Sequence, residues 1–310
     1  MSGYKYLFGP VPSRRLGASL GVSPIPERTC NYSCVYCQLG RTLRMTNTRQ
    51  EFFPLEEILA EFREYLRGSI PFDVVTVVGE GEPTLYSRLG ELIAGLKKET
   101  DKPVAVITNG ALLYDAEMRR ELMEADIVLP SLDAVTEEQY RKIDRPMGSI
   151  GFAEMAEGLR QFAREYQGQL WIEIMLVDGM NDSPEDIAAF KEFLGTIDYD
   201  RVYLNTPVRP PAEGFVHTSA PEHIDLAARE LGGISIDQLT SGSFFSEVED
   251  PYEAILSIAR RHPMNQFEVE SFLEAREIPA DQRQALMERL GQDPGITVVP
   301  YKGIITYRVN

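Results

Sequence analysis

The chain has three cysteines, and all of them fall within eight consecutive residues: Cys30, Cys34 and Cys37 in CNYSCVYCQLG. Thiolates are soft ligands, and soft ligands suit zinc and iron–sulfur clusters. A cubane cluster ordinarily takes four cysteines, and this chain offers three. One iron would then lack a protein thiolate, and an open coordination position is where a substrate or cofactor binds. Two other readings stand beside this one. Three buried structural cysteines would leave the clustering unexplained. A Cys3His zinc site needs a histidine, and His217, His223 and His262 are all remote in sequence.

Such a loop needs a scaffold. Apolar runs of strand length occur at 20–23, 74–79, 104–108, 127–132, 171–177 and 202–205. Between them lie stretches with helical spacing, such as PLEEILAEFREYLRG, FAEMAEGLRQFAREY and SPEDIAAFKEFLG. Strands alternating with helices predict an α/β fold with a parallel sheet and right-handed crossovers. Six units are too few for a full eight-fold barrel and fit a partial barrel or an open doubly wound sheet. The cysteine loop directly follows the first strand, at the end where β/α barrels carry their active sites. The later strands end at the same rim in Gly79-Glu80-Gly81-Glu82, Asn109-Gly110, Ser131 with Asp133, Asp178 with Asn181, and Asn205, Thr206 and Arg209. Each is an ordinary cap or turn former taken alone. Together on one rim they make a candidate site.

The pattern divides the chain into a partial barrel at 1–212, a connecting helical segment at 213–249 and a small unit at 250–310. The last unit shows three helical patterns, PYEAILSIARR, NQFEVESFLEA and ADQRQALMERL, and then a hairpin of ITVVP and GIITYRV joined across Tyr301, Lys302 and Gly303. Three helices and a terminal hairpin predict a winged-helix-like domain. Lysine plus arginine total 31 against 48 acidic residues, a net charge of −17. That balance argues against broad, sequence-independent nucleic-acid binding, although Arg276, Arg283 and Arg289 offer a local basic patch. No apolar stretch approaches the roughly 20 residues of a membrane span, and prolines and arginines break up the N-terminus before a secretory signal forms. A cytoplasmic protein is expected.

The motif CxxxCxΦC with aromatic Tyr36 in the Φ place resembles that of the radical S-adenosylmethionine (radical SAM) superfamily. The wider segments FGPVPSRRLGASLGV, GEGEPTLY, ITNGALL, PSLDA and LNTPVRPPAE resemble one branch, the Fe–S oxidoreductases related to the wybutosine-synthesis radical enzyme. The likeness covers about residues 4–212. It implies a partial (β/α)6 radical-SAM barrel and an oxygen-sensitive [4Fe–4S] cluster on Cys30, Cys34 and Cys37. It also implies S-adenosylmethionine on the fourth iron, an electron donor of flavodoxin or ferredoxin type, and a 5′-deoxyadenosyl radical that takes hydrogen from an unidentified substrate. Residue by residue, Gly81 and Glu82 match the end of the family's GGE motif, whereas Glu80 replaces one of its glycines. By the same resemblance Ser131 and Asp133 match ribose contacts and Tyr36 lies near adenine. Asn109 is a further cofactor contact, and Met175 and Leu204 line the adenine pocket or pack in the core. No cysteine remains for an auxiliary cluster or a catalytic thiol, which disfavours methylthiotransferases and twin-cluster maturases. The alternatives are an RNA (tRNA) modification enzyme of the same chemistry and a non-catalytic Fe–S regulator with a DNA-binding domain.

The cysteine reading carries a direct test. Protein reconstituted without oxygen is expected to bind about four irons per chain, the content of one cubane cluster. Changing Cys30, Cys34 or Cys37 to Ala is expected to abolish that binding. A zinc content near one with little iron would sink the reading.

Overall fold

A computed structural model of the chain describes residues 4–310 except 69, 237–243, 247 and 302. Strands β1 (Leu7–Ser13) and β2 (Gly17–Val22) pair antiparallel. The cysteine segment follows, where β3 (Thr29–Cys30) lies parallel to β4 (Arg44–Met45). Next come α1 (Leu55–Tyr65), β5 (Val74–Val77), α2 (Leu89–Glu99), β6 (Val104–Thr108), α3 (Ala116–Leu122), β7 (Ile127–Pro130) and α4 (Glu137–Ile143). Helix α5 (Phe152–Glu165), β8 (Gln169–Met175), α6 (Pro184–Leu194), β9 (Arg201–Asn205), α7 (Pro221–Leu231) and β10 (Ile234–Ser235) complete the larger unit. Its sheet runs β1-β2-β5-β6-β7-β8-β9-β10, parallel from β2 onward, and curls into a half-barrel.

The two faces of this sheet have different partners, as the two-residue period of a strand requires. Val75, Val77, Val106, Val128, Ile172, Ile174, Val202 and Leu204 face outward and join one core with the helices, including Phe62, Ile93 and Phe162. Val74, Ala105, Ile127, Leu129, Trp171 and Tyr203 form a second, smaller core on the other face. Nearer the carboxyl ends, that inner face changes to Thr76, Ile107, Glu173, Met175 and Asn205, which line a cavity.

All six expected strands are present, so the α/β half-barrel stands, but the sheet is two strands wider than a six-unit count. Strand β1 carries Pro10 and Pro12, which cannot donate ladder hydrogen bonds. A proline-bearing strand is confined to an edge, and β1 occupies one, with a register shift between Phe8 and Val11. Strand β10 is two residues long and pairs only with β9, too short for any periodicity to show.

The terminal unit comprises α8 (Pro251–Ala259), β11 (Met264–Asn265), α9 (Gln266–Ala275), α10 (Ala280–Gln292), β12 (Ile296–Tyr301) and β13 (Ile304–Val309). Its strands form an antiparallel sheet in the order β11-β13-β12. Tyr252, Ile255, Met264, Val269, Phe272, Leu273, Leu290 and Tyr307 give it a core of its own. Tyr301 pairs with Ile304 across the expected hairpin, and residue 302 lies outside the described residues. The three arginines weighed as a local basic patch are engaged within the chain. Arg276 donates to the carbonyls of Ser246, Val248 and Glu249, Arg283 bridges Glu270 and Glu274, and the Arg289 guanidinium covers the Tyr252 ring. Among the described residues, no helix is long and apolar enough to cross a membrane.

Helix α5 approaches the chain so closely at Gly158 that an added Cβ would strike the backbone at Leu113 and Tyr114. Overpacking against backbone costs about 1–3 kcal/mol. Gly158→Ala is therefore expected to lower the thermal midpoint by several degrees despite the better helix propensity of alanine, as read by thermal melting. An unchanged or raised midpoint would count against this packing.

Candidate functional site

The cysteine loop is held from both sides. Ser33 and Val35 donate backbone hydrogen bonds to Asp144 (3.1 Å) and Ile143 (2.9 Å), and Met147 donates to the Asn31 carbonyl (2.8 Å). Tyr32 packs edge-on against Tyr140, with ring centroids 5.5 Å apart, and their hydroxyls share a hydrogen bond. On the other side Glu82 N donates to the Thr29 carbonyl (3.1 Å). That approach requires a glycine at the preceding position, since a Cβ on Gly81 would run into the Thr29 carbonyl oxygen.

All three cysteines line one cavity of about 430 Å³ at the carboxyl ends of the parallel strands. Tyr32 N donates to Cys30 Sγ (3.3 Å), and Asn109 Nδ2 lies 3.6 Å from the same sulfur. Cys34 Sγ lies 3.8 Å from Asp144 Oδ1. Burial raises the pKa of all three thiols, and Glu82 adds to the effect at Cys30 and Asp144 at Cys34. At Cys37 the Arg308 and Arg28 guanidiniums oppose it. Metal binding must displace these protons, as it does at any thiol site. The donor set fits an iron–sulfur cluster: three soft ligands share a cavity wall, and two N–H groups are aimed at one sulfur. Among the described residues, no group of three or more His, Cys, Asp or Glu side chains is drawn together around a single ion. His223 Nδ1 is bonded to Asp182 and His262 Nε2 accepts from Arg209, so each histidine has a ring nitrogen committed to a partner other than a cysteine sulfur.

The structure brings together only some of the residues expected on the rim. Tyr36, Gly81 and Met175 line the cavity with the cysteines, and Glu80, Glu173, Asn205 and Thr206 join them. Glu82 does not line it. Its buried carboxylate accepts from Thr84 N (3.0 Å), Thr84 Oγ1 (2.6 Å), Thr108 Oγ1 (2.6 Å) and Asn109 N (2.8 Å). Burial pushes its pKa up against those four bonds. Asn109 turns its amide to Asn31 Oδ1 (2.7 Å) and Cys30. Asp133 is buried; it accepts from the Tyr36 hydroxyl and from Met175 N (2.7 Å), and desolvation raises its pKa. Ser131 is absent from the cavity wall, where its strand end pairs with Glu173. Leu204 is buried in the outer core, against Gly233, because the β9 register turns Tyr203 inward and Leu204 outward. Glu82, Asn109 and Asp133 thus hold the wall in place from behind it.

Sequence reasoning did not select the opposite wall. Arg15 forms a close, half-buried ion pair with Glu173, whose Oε1 also accepts from Asn205 Nδ2 (3.2 Å). Burial draws the Arg15 pKa down to about 10. The terminal unit contributes Arg261, His262 and Glu268 to the cavity. Arg261 pairs with Glu80 (3.4 Å), and Arg209 holds Glu268 through two hydrogen bonds (2.8 and 3.0 Å). Arg209 Nη2 also lies 2.6 Å from His262 Nε2. A lone pair on Nε2 faces this cation, so the ring is neutral with its proton on Nδ1. Burial, then Arg209, Arg14 and Arg15, hold its pKa well below the usual histidine range. No local pattern marks His262, which is separated from Arg209 by 53 residues.

A half-barrel with helices outside and three thiols lining a cavity at its carboxyl rim has the architecture of a β/α enzyme scaffold. The Radical SAM superfamily profile matches residues 25–191, and the chain belongs to that superfamily. It is 32% identical over 314 residues to a UPF0026 protein of Methanocaldococcus jannaschii, covering 98% of this chain and 95% of that one. It is 43% identical over 205 residues to a protein of Brachyspira hyodysenteriae named GTPase Obg. That match covers 66% of this chain but only 30% of the other protein, whose name describes a much longer molecule. Among solved structures, a radical SAM methyltransferase from Sphaerobacter thermophilus superposes with a TM-score of 0.52 at 18% identity, covering 71% of this chain and 67% of that chain. That likeness is one of fold. Family membership makes the protein a radical SAM enzyme, with a [4Fe–4S] cluster and S-adenosylmethionine as its cofactors.

The neutral His262, half-buried beside Arg209, gives a pH dependence with a definite sign. In the unfolded chain histidine takes up a proton near pH 6.5, whereas the folded protein resists it. Below that pH the unfolded state binds more protons, so folding stability falls as pH falls. Denaturant melts from pH 7.5 to 5.5 are expected to show a decline that His262→Gln flattens. Equal slopes for the two proteins would contradict a neutral imidazole at this position.

Proposed function

We propose that Cys30, Cys34 and Cys37 hold the [4Fe–4S] cluster and that the adjoining cavity takes S-adenosylmethionine and a substrate. The observation that carries this reading is the convergence of the three thiols, Tyr36 and Gly81 on one cavity at the carboxyl rim of the half-barrel. When bound, the cluster supplies one electron for reductive cleavage of S-adenosylmethionine, giving methionine and a 5′-deoxyadenosyl radical that abstracts hydrogen from the substrate.

The chain's own residues position and enclose. Gly81 lets the chain close against Thr29, one residue before the first cysteine, and the carboxylates of Glu80 and Glu173 balance cationic groups in the cavity. Tyr36 presents a flat ring, fixed through its hydroxyl by Asp133, against which an adenine can pack. Asn109 donates to Cys30 Sγ and to Asn31, restraining the first ligand. Residues 1–212 form the cofactor-binding unit in this reading, and 213–249 connect it to a winged-helix-like unit at 250–310. That last unit closes the open side of the half-barrel with Arg261, His262 and Glu268 and keeps water from the radical. The commitment of Arg276, Arg283 and Arg289 to internal partners weakens the RNA-docking alternative. Membership in an enzyme family leaves the non-catalytic regulator without support.

With a strong reductant and no oxygen, the reconstituted protein is expected to convert S-adenosylmethionine slowly to 5′-deoxyadenosine, measured by chromatography. Gly81→Ala is expected to push Thr29 and with it Cys30 out of place, lowering iron content and weakening S-adenosylmethionine binding by on the order of tenfold, since about 1.4 kcal/mol suffices. Iron-loaded wild type that neither binds nor cleaves S-adenosylmethionine would refute the proposal.

A further inference from the structure

The segment after the third cysteine runs against the acidic balance of the chain. From Gln38 to Gln50 it contains three arginines and no aspartate or glutamate, in a protein of net charge −17. Arg49 is used internally, bonded to Glu121 (2.6 Å) and to the carbonyls of Thr84 and Tyr86. Arg41 and Arg44 are exposed, and between and beside them stand Leu43, 68% exposed, and Met45, 41% exposed. Arg44 leans over the Phe52 ring.

A second loop extends the same surface. Glu213 donates its backbone N–H to the Val35 carbonyl of the cysteine loop (3.1 Å). Its carboxylate lies beneath two arginines, Arg41 (2.8 and 2.9 Å) and Arg145 (2.5 Å). Arg145 in turn covers Phe215, an aromatic ring 56% exposed. One acid neutralises only one of these two cations, so the surface around Leu43, Met45 and Phe215 stays positive. Large apolar side chains ringed by charge mark a contact surface rather than a solvated face.

The position of this patch decides its use. In the β3–β4 pairing Met45 is the register partner of Cys30, and paired strands lie roughly 4.8 Å apart. Gly40 N donates to the Cys37 carbonyl (3.1 Å), and Thr46 N to the Cys30 carbonyl (3.1 Å). The patch is therefore the outer surface of the loop whose inner side bears the cluster ligands.

We infer that Arg41, Leu43, Arg44, Met45, Arg145 and Phe215 form the docking surface for an acidic flavin-carrying electron-transfer protein of flavodoxin type. The inference rests on the cysteine-held cluster proposed above, which must first receive an electron from outside the chain before it can cleave S-adenosylmethionine. The carrier's flavin hydroquinone is oxidised by one electron to the semiquinone, releasing a proton to solvent if it was protonated, and the cluster is reduced by that electron. Charge complementarity selects an acidic partner, although the whole chain would repel one. The exposed apolar edge of a flavin matches Leu43, Met45 and Phe215 as a flat, weakly hydrated surface.

The test uses the full-length, iron-loaded protein and stopped-flow bleaching of cluster absorbance on mixing with reduced flavodoxin. The wild-type rate is expected to fall with added salt, as a steered encounter does. Leu43→Asp and Arg44→Glu are each expected to slow it on the order of tenfold, with iron content, circular dichroism and reduction by dithionite unchanged. Rates within twofold of wild type in both variants, no dependence on salt, or no reduction by flavodoxin at all would overturn the inference. So would reduction by a [2Fe–2S] ferredoxin that alone shows the Leu43 and Arg44 dependence, since the occupant would then be wrong. Absence of iron or inertness to dithionite would remove the cluster reading itself, and this inference with it.

Discussion

The buried carboxylate of Glu82 ties three separate stretches of chain into one rim. Its oxygens collect donors from the turn after β5 and from the end of β6, and its own N–H binds the Thr29 carbonyl one residue before Cys30. Burying a carboxylate costs several kcal/mol unless its lone pairs are satisfied. Here four hydrogen bonds satisfy them, and the charge is held where it cannot drift toward a ligand. The neighbouring residues inherit their positions from this knot. Gly81 is pressed against Thr29, and Asn109, held by its backbone bond to Glu82, turns its amide to Asn31 and Cys30. A residue matched by resemblance to a cofactor contact thus acts from one layer behind the cavity wall.

Asp133 plays the corresponding part across the cavity. It fixes the Tyr36 hydroxyl and the Met175 backbone, and Asn181 secures the carbonyls of Asp133 and Met175 (both 2.8 Å). Both walls are therefore set by buried polar groups with all their partners present, which hold a geometry more firmly than apolar packing alone. The third wall comes from the terminal unit, where ion pairs cross to Glu80 and Arg209. A unit that supplies cavity side chains has its position dictated by the chemistry it encloses. This is a different demand from gripping a nucleic-acid duplex, and its arginines are spent accordingly.

Much of the architecture was legible before any coordinates. The six central strands and the helices between them follow from apolar period and capping, as at Ser183 and Asp186, whose reciprocal capping box opens α6. Strand β1 was hidden by its prolines and β10 by its length. Helix α4 was missed because its seven residues, EEQYRKI, bury only Tyr140 and Ile143. Of the residues expected at the site, the cysteines, Tyr36, Gly81 and Met175 line the cavity, whereas Leu204 packs in the outer core. A strand's alternation shows that neighbouring residues face opposite ways, but a strand buried on both faces gives no local sign of which way is in.

The sequence by itself determined the chemistry of the ligand set, because three thiols within eight residues are brought together by the chain's own connectivity. It also determined the βα alternation, since apolar period is a local property. Tertiary structure alone decided what surrounds the thiols. Asp144 meets Cys34 across 110 residues, Tyr36 meets Asp133 across 97, and Arg209 meets His262 and Glu268 across 53 and 59. Contacts at such separations depend on strand order, register and the docking of one unit on another, and no short window of sequence contains them.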